Sequence, residues 1–205
     1  LGELTIDGVL QDTLFGVWVP AIKLRRSVQM YQWSESLEDI SGDDIQMPLY
    51  EKQWSISTID SSKFSQPDEH QNPAQIPYQT NTWERDRVWL WLFHLDASYI
   101  HTYSDYEALP FVHDDLPDGF IERDGVLYSG NPDFPSVWDV RVSFEVVLPG
   151  LASVIGGQSG TSIVPFIQDE GTTIASFSLR SQAPAEMLPL VKQGNPLLTW
   201  FVRTL

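Results

Sequence analysis

The sequence predicts an α+β fold that is mainly β, with antiparallel sheets built from hairpins and one or two short helices. Three observations support this prediction: polar and apolar residues alternate over long stretches, Pro and Gly residues separate these stretches, and only two short segments have helical character. The 205 residues, 42% of them hydrophobic, suffice for one domain or two small ones with a substantial core. No interdomain linker is evident, so we expect residues 1–205 to form a single domain.

The first long strand is predicted at Ile22–Trp33, where even positions are mainly apolar and odd positions are mainly polar or aromatic. This alternation assigns Met30 to the core, where its flexible thioether fills gaps. It assigns Tyr31 and Trp33 to the opposite face. We expect a second element to cover these two rings, because neighbouring exposed aromatic side chains are unfavourable in water.

The second long strand is predicted at Asp139–Leu148, followed by a turn at Pro149-Gly150 and a return strand at Leu151–Ile155. This pattern predicts a β-hairpin. The segment Leu14–Val19, a break at Pro20 and the strand from Ile22 have the same outline, which raises the hypothesis of an internally duplicated hairpin. Two similar hairpins that arose by chance are the alternative.

The remaining predicted elements are shorter. A tight hairpin is predicted around Asp124-Gly125, with Gly125 in the left-handed conformation, and Gln66–Gln79 is predicted to be the longest loop. Trp89 and Trp91 lie in phase on one predicted strand and are assigned to the core. The further predicted strands are Gln53–Ile59, Val88–Leu95, Phe120–Ile121, Val126–Tyr128, Ser162–Ile167 and Thr173–Leu179, and the predicted helices are Ala97–Tyr103 and Pro184–Gln193.

Charge and composition exclude several classes of function. The formal net charge of -16 would repel phosphate backbones, so we expect no nucleic-acid partner. Because the chain has no cysteine, it has no disulfide, thiol nucleophile or Cys-ligated metal site. The chain begins at Leu1 rather than Met and lacks the pattern of a signal peptide, so we expect an excised fragment.

The motifs of common enzymes give no positive signal. The sequence contains neither a phosphate-binding glycine loop nor a His-Glu-x-x-His motif, and its four histidines lack metal-ligand spacing, so we predict no catalytic residue, cofactor or metal site. Two alternatives remain open. An acidic hydrolase would need two of Glu84, Asp86, Asp114 and Asp115 to converge. A secreted carbohydrate-binding module would use some of the eight tryptophans as exposed stacking platforms.

A series of short motifs runs through nearly the whole chain. The motifs are LRRSVQMYQWSE (Leu24–Glu35), EKQWSISTIDSSKF (Glu51–Phe64), HQNP (His70–Pro73), GVLYSGNPDFPSVWDVRVSF (Gly125–Phe144), VIGGQSGTSIVPF (Val154–Phe166), SQAPAEML (Ser181–Leu188) and NPLLTWFVR (Asn195–Arg203). In order and approximate spacing this series resembles the transmembrane protein 43 family, also called LUMA. The chain departs from the family pattern at Trp138, where the family usually has Gly, and matches it poorly over Asp86–Leu116.

The resemblance singles out a set of positions that we call the signature residues, with a structural or interaction role. They are Met30, Tyr31, Gln32, Trp33, Trp54, Asn72, Pro73, Asn131, Pro132, Asp139, Arg141, Ser143, Phe144, Gln158, Trp200 and Arg203.

The resemblance also implies a setting and a role. Members of the family are membrane proteins in which a large soluble domain lies between transmembrane helices, and the present chain would be that domain. It would lie on the extracytoplasmic side: the endoplasmic reticulum lumen and perinuclear space in eukaryotes, or the periplasm in bacteria. The family has no established catalytic residues, so the implied function is a non-catalytic scaffold that organises membranes. Its partners would be other membrane or envelope proteins, such as lamins and emerin, with self-association as a further expectation.

Overall fold

The computed structural model describes residues 1–39, 46–112, 116–168, 171–180 and 182. The fold in these residues is mainly β, as the sequence predicts. The helical elements are α1 (Ala97–Thr102) and a single 3₁₀ turn (Ser61–Lys63). The strands are β1 (Gly2–Ile6), β2 (Leu10–Asp12), β3 (Val17–Val19), β4 (Lys23–Asp39), β5 (Gln46–Ser55), β6 (Asn81–Glu84), β7 (Val88–Leu90), β8 (Phe93–Leu95), β9 (Glu107–Leu109), β10 (Ile121–Arg123), β11 (Val126–Tyr128), β12 (Val140–Val147), β13 (Leu151–Ile155), β14 (Gly157–Ser159), β15 (Ser162–Val164), β16 (Phe166–Ile167), β17 (Thr173–Ile174) and β18 (Ser176–Ser178).

Two seven-stranded sheets dominate the described part of the chain. Sheet I has the order β14-β15-β8-β7-β1-β13-β18, and its β8–β15 pair is parallel. Sheet II has the order β10-β11-β12-β4-β5, with β6 also paired to β4 and β9 also paired to β12. Two small ribbons, β2–β3 and β16–β17, accompany them.

Each sheet has its own hydrophobic core. In sheet II, alternate residues of β4 and β12 point inward, and Phe15 from the β2–β3 ribbon packs edge-on against Phe144. Met30 is 1% exposed in this core, as the alternation predicts. The second core contains Leu4 and Leu90 of sheet I together with Ile100 of helix α1. Burial of such side chains stabilises the fold by roughly 1.5–3 kcal/mol each.

The two predicted hairpins are not hairpins. Strand β12 pairs with β4, β9 and β11, whereas β13 pairs with β1 and β18 of the other sheet. Pro149-Gly150 therefore carries the chain from sheet II to sheet I. Similarly, β3 pairs with β2 and not with β4. The hypothesis of a duplicated hairpin thus loses its basis, because neither unit forms one.

The predicted strand Val88–Leu95 is also wrong as a single strand. It is a hairpin of β7 and β8 whose two turn residues are Trp91 and Leu92, because Leu90 pairs with Phe93. Trp91 has a φ of 55° and is 69% exposed, so it is not a core residue. Trp89 is half-buried on β7.

Several shorter elements agree with the sequence-based predictions. The β10–β11 hairpin turns at Asp124-Gly125, both with positive φ, and helix α1 begins at the predicted Ala97. The segment Gln66–Gln79 has no strand or helix. Strand β5 begins earlier than predicted, at Gln46, and the predicted strands Ser162–Ile167 and Thr173–Leu179 are each split in two. The predicted helix Pro184–Gln193 lies outside the described residues.

Candidate functional site

The signature residues converge on one half of strand β4. Beyond Met30 this strand extends past its partner β12 and continues as a long hairpin with β5. Within this hairpin Tyr31 lies opposite Trp54, and Trp33 lies opposite Lys52. Residues directly opposite each other in an antiparallel pair point to the same face, so these four side chains share one surface. We call this surface the outer face of the β4–β5 hairpin.

The first part of the outer face is an aromatic group held by an arginine. The Tyr31 and Trp54 ring centroids are 5.2 Å apart, and Tyr128 lies 6.1 Å from Trp54. The Arg141 guanidinium lies 4.8 Å from the centre of the Trp54 ring and donates through Nε to Gln29 Oε1 at 2.5 Å. These contacts explain why the signature contains Arg141 next to two aromatic residues: the cation packs on the ring face and orients it.

The second part of the outer face is covered by the long loop. His70 stacks on Tyr50 with centroids 3.6 Å apart and meets Trp33 edge-on at 4.7 Å. The Lys52 ammonium lies 4.5 Å from the centre of the Trp33 ring. The prediction that a second element covers Tyr31 and Trp33 is therefore correct for Trp33, and the covering element is the loop that carries His70.

Asn72 completes the sheet at the open edge of β4. Next to β12, Tyr31 donates from its backbone N–H to the Asp139 carbonyl at 2.8 Å. Two residues further along the same edge, Trp33 N–H donates to Asn72 Oδ1 at 2.7 Å. Asn72 Nδ2 in turn donates to the carbonyls of Trp33 at 2.8 Å and Ile59 at 3.2 Å. One side-chain amide thus takes the place of a neighbouring strand, and Pro73 is buried beside it.

Gln32 holds the chain that follows β5. Its side chain is fully buried, yet both ends of its amide are satisfied. Nε2 donates to the Ser57 carbonyl at 3.0 Å, and Oε1 accepts from the Ile59 N–H at 2.9 Å. A buried amide without partners would be destabilising, so this pair of hydrogen bonds fixes the position of the segment 57–59.

A tight loop before β12 contains three more signature residues. Asp139 Oδ2 accepts from the Ser136 N–H at 2.7 Å, and Gly130 lies so close that a Cβ there would clash with this oxygen. Asn131 Oδ1 accepts from the Asp133 N–H at 2.9 Å, which fixes the turn that continues through Pro132. Trp138 in this loop has a φ of 89°.

The other signature residues are placed as follows. Phe144 is a core residue, and Ser143 is half-buried opposite Ser27. Gln158 is exposed in sheet I, apart from the rest, and donates to the Gly160 carbonyl. Trp200 and Arg203 lie outside the described residues.

The sequence analysis did not identify two polar residues that join separate elements: Glu35 in the β4–β5 hairpin and Lys23 at the start of β4. Glu35 Oε2 accepts from the Tyr50 hydroxyl at 2.5 Å and from the Ser65 N–H at 2.6 Å, which ties the long loop to the hairpin. The Tyr50 hydrogen bond lowers the pKa of Glu35. Lys23, 3% exposed, donates to the carbonyls of Ile100, His101 and Tyr103 at the end of α1. Lys23 occupies a polar position of the predicted alternation, so the strand pattern gave no sign of its burial.

The carboxylates proposed for an acidic hydrolase do not form a pair in the described residues. Glu84 makes a 2.9 Å ion pair with Lys23 and lies 3.3 Å from His101 Nδ1. Burial raises the pKa of Glu84, but the hydrogen bonds from Lys23 and His101 outweigh it, so the net shift is downward. A general acid needs the opposite shift. Asp86 is exposed beyond the end of β6, and Asp114 and Asp115 lie outside the described residues.

Two further site types lack support in the described part of the chain. Residues 1–39, 46–112, 116–168, 171–180 and 182 contain no group of three or more His, Asp or Glu side chains that could hold a metal ion. A sugar platform on Trp89 and Trp91 would need both rings exposed on one strand, whereas Trp89 is half-buried and Trp91 lies in a turn.

Comparison with known proteins identifies relatives. The family model described as "Transmembrane protein 43" matches residues 30–205. The transmembrane protein 43 of Mus musculus is 30% identical over 223 aligned positions, which cover 99% of this chain and 55% of the mouse protein. The Homo sapiens protein is 29% identical with the same coverage, and the Drosophila melanogaster homolog is 28% identical, covering 98% of this chain and 57% of the fly protein.

The chain spans about half the length of the curated relatives it matches. No solved structure matches it. None of the helices in the described residues has the length and apolar character needed to cross a membrane.

Proposed function

The chain belongs to the transmembrane protein 43 family, and on this basis we propose that it forms the extramembrane domain of an integral membrane protein that acts as a scaffold. The relatives are named transmembrane proteins, and about half of their length lies outside the match. Residues 1–205 would be one domain, held at the bilayer by segments corresponding to that other half. We place the domain on the extracytoplasmic side, in the periplasm or in the endoplasmic reticulum and perinuclear lumen.

The observation that carries the scaffold proposal is that the signature residues hold the surface of the β4–β5 hairpin in place. Asn72 ties the long loop to β4, Gln32 holds the segment that follows β5, and Arg141 packs on the Trp54 ring of the outer face. Such an arrangement presents a surface of fixed shape, as a scaffold requires. Its partners would be other membrane or envelope proteins, or a second copy of the same protein.

The ion pairs of two carboxylates in the described residues support a non-catalytic role for these groups. Glu84 and His101 are joined to each other and to buried Lys23, and Asp12 forms a 2.6 Å ion pair with buried Arg26. A catalytic acid or base must exchange a proton with a substrate, whereas the Glu84 and Asp12 carboxylates are held in ion pairs with Lys23 and Arg26. We propose no catalytic residue and no cofactor.

Fractionation of cells that express the complete gene with an epitope tag tests the membrane setting. We expect the protein to stay in the membrane pellet after an alkaline carbonate wash. In sealed vesicles whose cytoplasmic side faces out, added protease should leave the domain intact until detergent is present. Release of the protein by carbonate would refute the integral-membrane proposal, and cleavage without detergent would reverse the proposed sidedness.

A further inference from the structure

The β7–β8 hairpin carries an exposed apolar tip. Trp91 and Leu92 are its two turn residues and are 69% and 83% exposed, whereas Val88, Leu90 and Leu95 at the base are buried in the core of sheet I. These buried residues anchor the hairpin, and the two turn residues project from it into solvent. Two adjacent large apolar side chains at such a tip require an explanation.

The backbone at the tip is adapted to this presentation. Trp91 has a φ of 55°, a conformation that bulky residues rarely adopt and that hairpin turns usually assign to Gly, Asn or Asp. The edge of the Trp91 indole rests on Gly2, where a Cβ would lie 2.9 Å from Cε2. The ring is thus oriented by contact with β1 while most of its surface remains exposed.

The hairpin is also free of formal charge, in contrast with the rest of the chain. The eight residues Val88–Leu95 contain no Asp, Glu, Lys or Arg, although the chain has a net charge of -16. Val88, Leu90 and Leu95 are uncharged because they are buried, but Trp91 and Leu92 are exposed, and a surface that meets only water has no need for two adjacent large apolar side chains. A surface that enters the apolar boundary of a lipid bilayer does, because charged side chains are unfavourable there, whereas Trp is enriched at that depth.

From these observations we infer that the Trp91-Leu92 tip inserts into the interfacial region of the bilayer. This inference rests on the proposed function, because two side chains alone bind a membrane weakly and need an anchor that holds the domain at the surface. The tip would then fix the orientation of the domain relative to the membrane.

The absence of cysteine makes this inference directly testable. A single Leu92→Cys substitution is labelled with the fluorophore NBD, whose emission shifts to the blue and brightens in an apolar environment. The labelled chain is tethered through an N-terminal hexahistidine tag to phosphatidylcholine vesicles that contain a nickel-chelating lipid. Because the tip contacts Gly2, this tether holds it within reach of the bilayer.

The matched control is Leu14→Cys, labelled with NBD in the same way. Leu14 is 56% exposed and lies in the turn of the β2–β3 ribbon. We expect a blue shift at position 92 that is absent at position 14 and is lost when Trp91→Ser is added. No shift at position 92, or equal shifts at both positions, would refute the inference. A shift at position 92 that needs only high protein concentration and no vesicles would identify a second copy of the chain as the partner and refute it as well.

This assay is independent of the fractionation test. The tether supplies the membrane proximity in either case, so a negative result rejects the tip as an insertion element without rejecting the membrane anchoring of the complete protein. Release of the complete protein by carbonate would reject the anchoring without affecting the fluorescence result.

Discussion

At the scale of single residues, Trp138 has a backbone conformation that suits the glycine expected there from the family resemblance. Its φ of 89° is a conformation that glycine adopts easily and a bulky residue does not, and its ring is 66% exposed. The sequence resemblance expects Gly at this position. Trp138→Gly should therefore raise the free energy of unfolding by about 1 kcal/mol, since it removes backbone strain while losing little packing. Urea denaturation measures the change.

The control for this prediction is Trp18, which is 57% exposed but lies in strand β3. Trp18→Gly should lower the free energy of unfolding by about 1 kcal/mol, because glycine weakens a strand and gains no relief of strain. Equal destabilisation by both substitutions would mean that the Trp138 ring contributes packing that its exposure does not indicate.

A second prediction at this scale concerns the amide of Asn72. Asn72→Asp removes the Nδ2 donor and places a carboxylate against the carbonyls of Trp33 and Ile59, so we expect a loss of about 2 kcal/mol in the free energy of unfolding. Asn131→Asp is the matched control, because its Oδ1 accepts from the Asp133 N–H and a carboxylate can do the same. Similar stability of the two variants in urea would show that Asn72 does not support the edge of β4.

At the scale of elements, Lys23 joins a strand, a helix and a second strand. Helix α1 has six residues, too few to be stable alone, and Lys23 Nζ binds three carbonyls at its end as well as Glu84 on β6. Lys23→Met leaves these groups without their cation and should lower the free energy of unfolding by about 3 kcal/mol. Arg25→Met, which breaks a more exposed pair with Glu145, should lower it by under about 1 kcal/mol.

The same cluster predicts a dependence of stability on pH. The folded protein lowers the pKa of Glu84 below its ordinary value of 4.5, so the ionised form is favoured by folding. Its contribution is complete above pH 4.5 and is lost as the pH falls through the lower pKa of the folded state. Glu84→Gln should therefore show a smaller drop in melting temperature than the parent below pH 4.5. Parallel pH profiles of parent and variant would contradict this coupling.

The elements also show what a sequence pattern can predict and what it cannot. The inward position of Met30 and the outward position of Tyr31 follow from local alternation, because side chains in a strand point to opposite faces in turn. The partner of β12 could not be predicted in this way, because a Pro-Gly turn shows that the chain changes direction but not which strand it joins. The exposure of Trp91 was missed for a related reason, because a two-residue turn made of apolar residues does not interrupt the apolar run from Val88 to Phe93.

Polar contacts between residues far apart in the sequence could not be predicted from local patterns either. Asn72 was found only through the family resemblance, and its pairing with Trp33 spans 39 positions of the chain. The signal available in the sequence was an Asn-Pro dipeptide, which indicates a turn and gives no information on the amide's partners. Most of the candidate surface therefore became visible only when the loop and the hairpin were placed together.

At the scale of the whole molecule, the two sheets share residues at the junction of β4 and β12. Ile22 and Val147 belong to the core of sheet I, although Val147 lies on a strand of sheet II and Ile22 directly precedes one. They are joined by a 2.7 Å backbone hydrogen bond, and the Arg85 N–H donates to the Ile22 carbonyl at 2.9 Å. Neither core can lose its packing at this junction without disturbing the other.

This sharing predicts that the described sheets unfold together. Met30→Ala removes a side chain from the core of sheet II, and Leu90→Ala removes one from the core of sheet I. Each should lower the free energy of unfolding by about 2–5 kcal/mol. In differential scanning calorimetry each variant should show one transition at a reduced temperature, with the calorimetric enthalpy equal to the van't Hoff enthalpy. Two transitions, of which Met30→Ala shifts one and Leu90→Ala the other, would show that the sheets are separate folding units and that the junction at Ile22 and Val147 does not couple them.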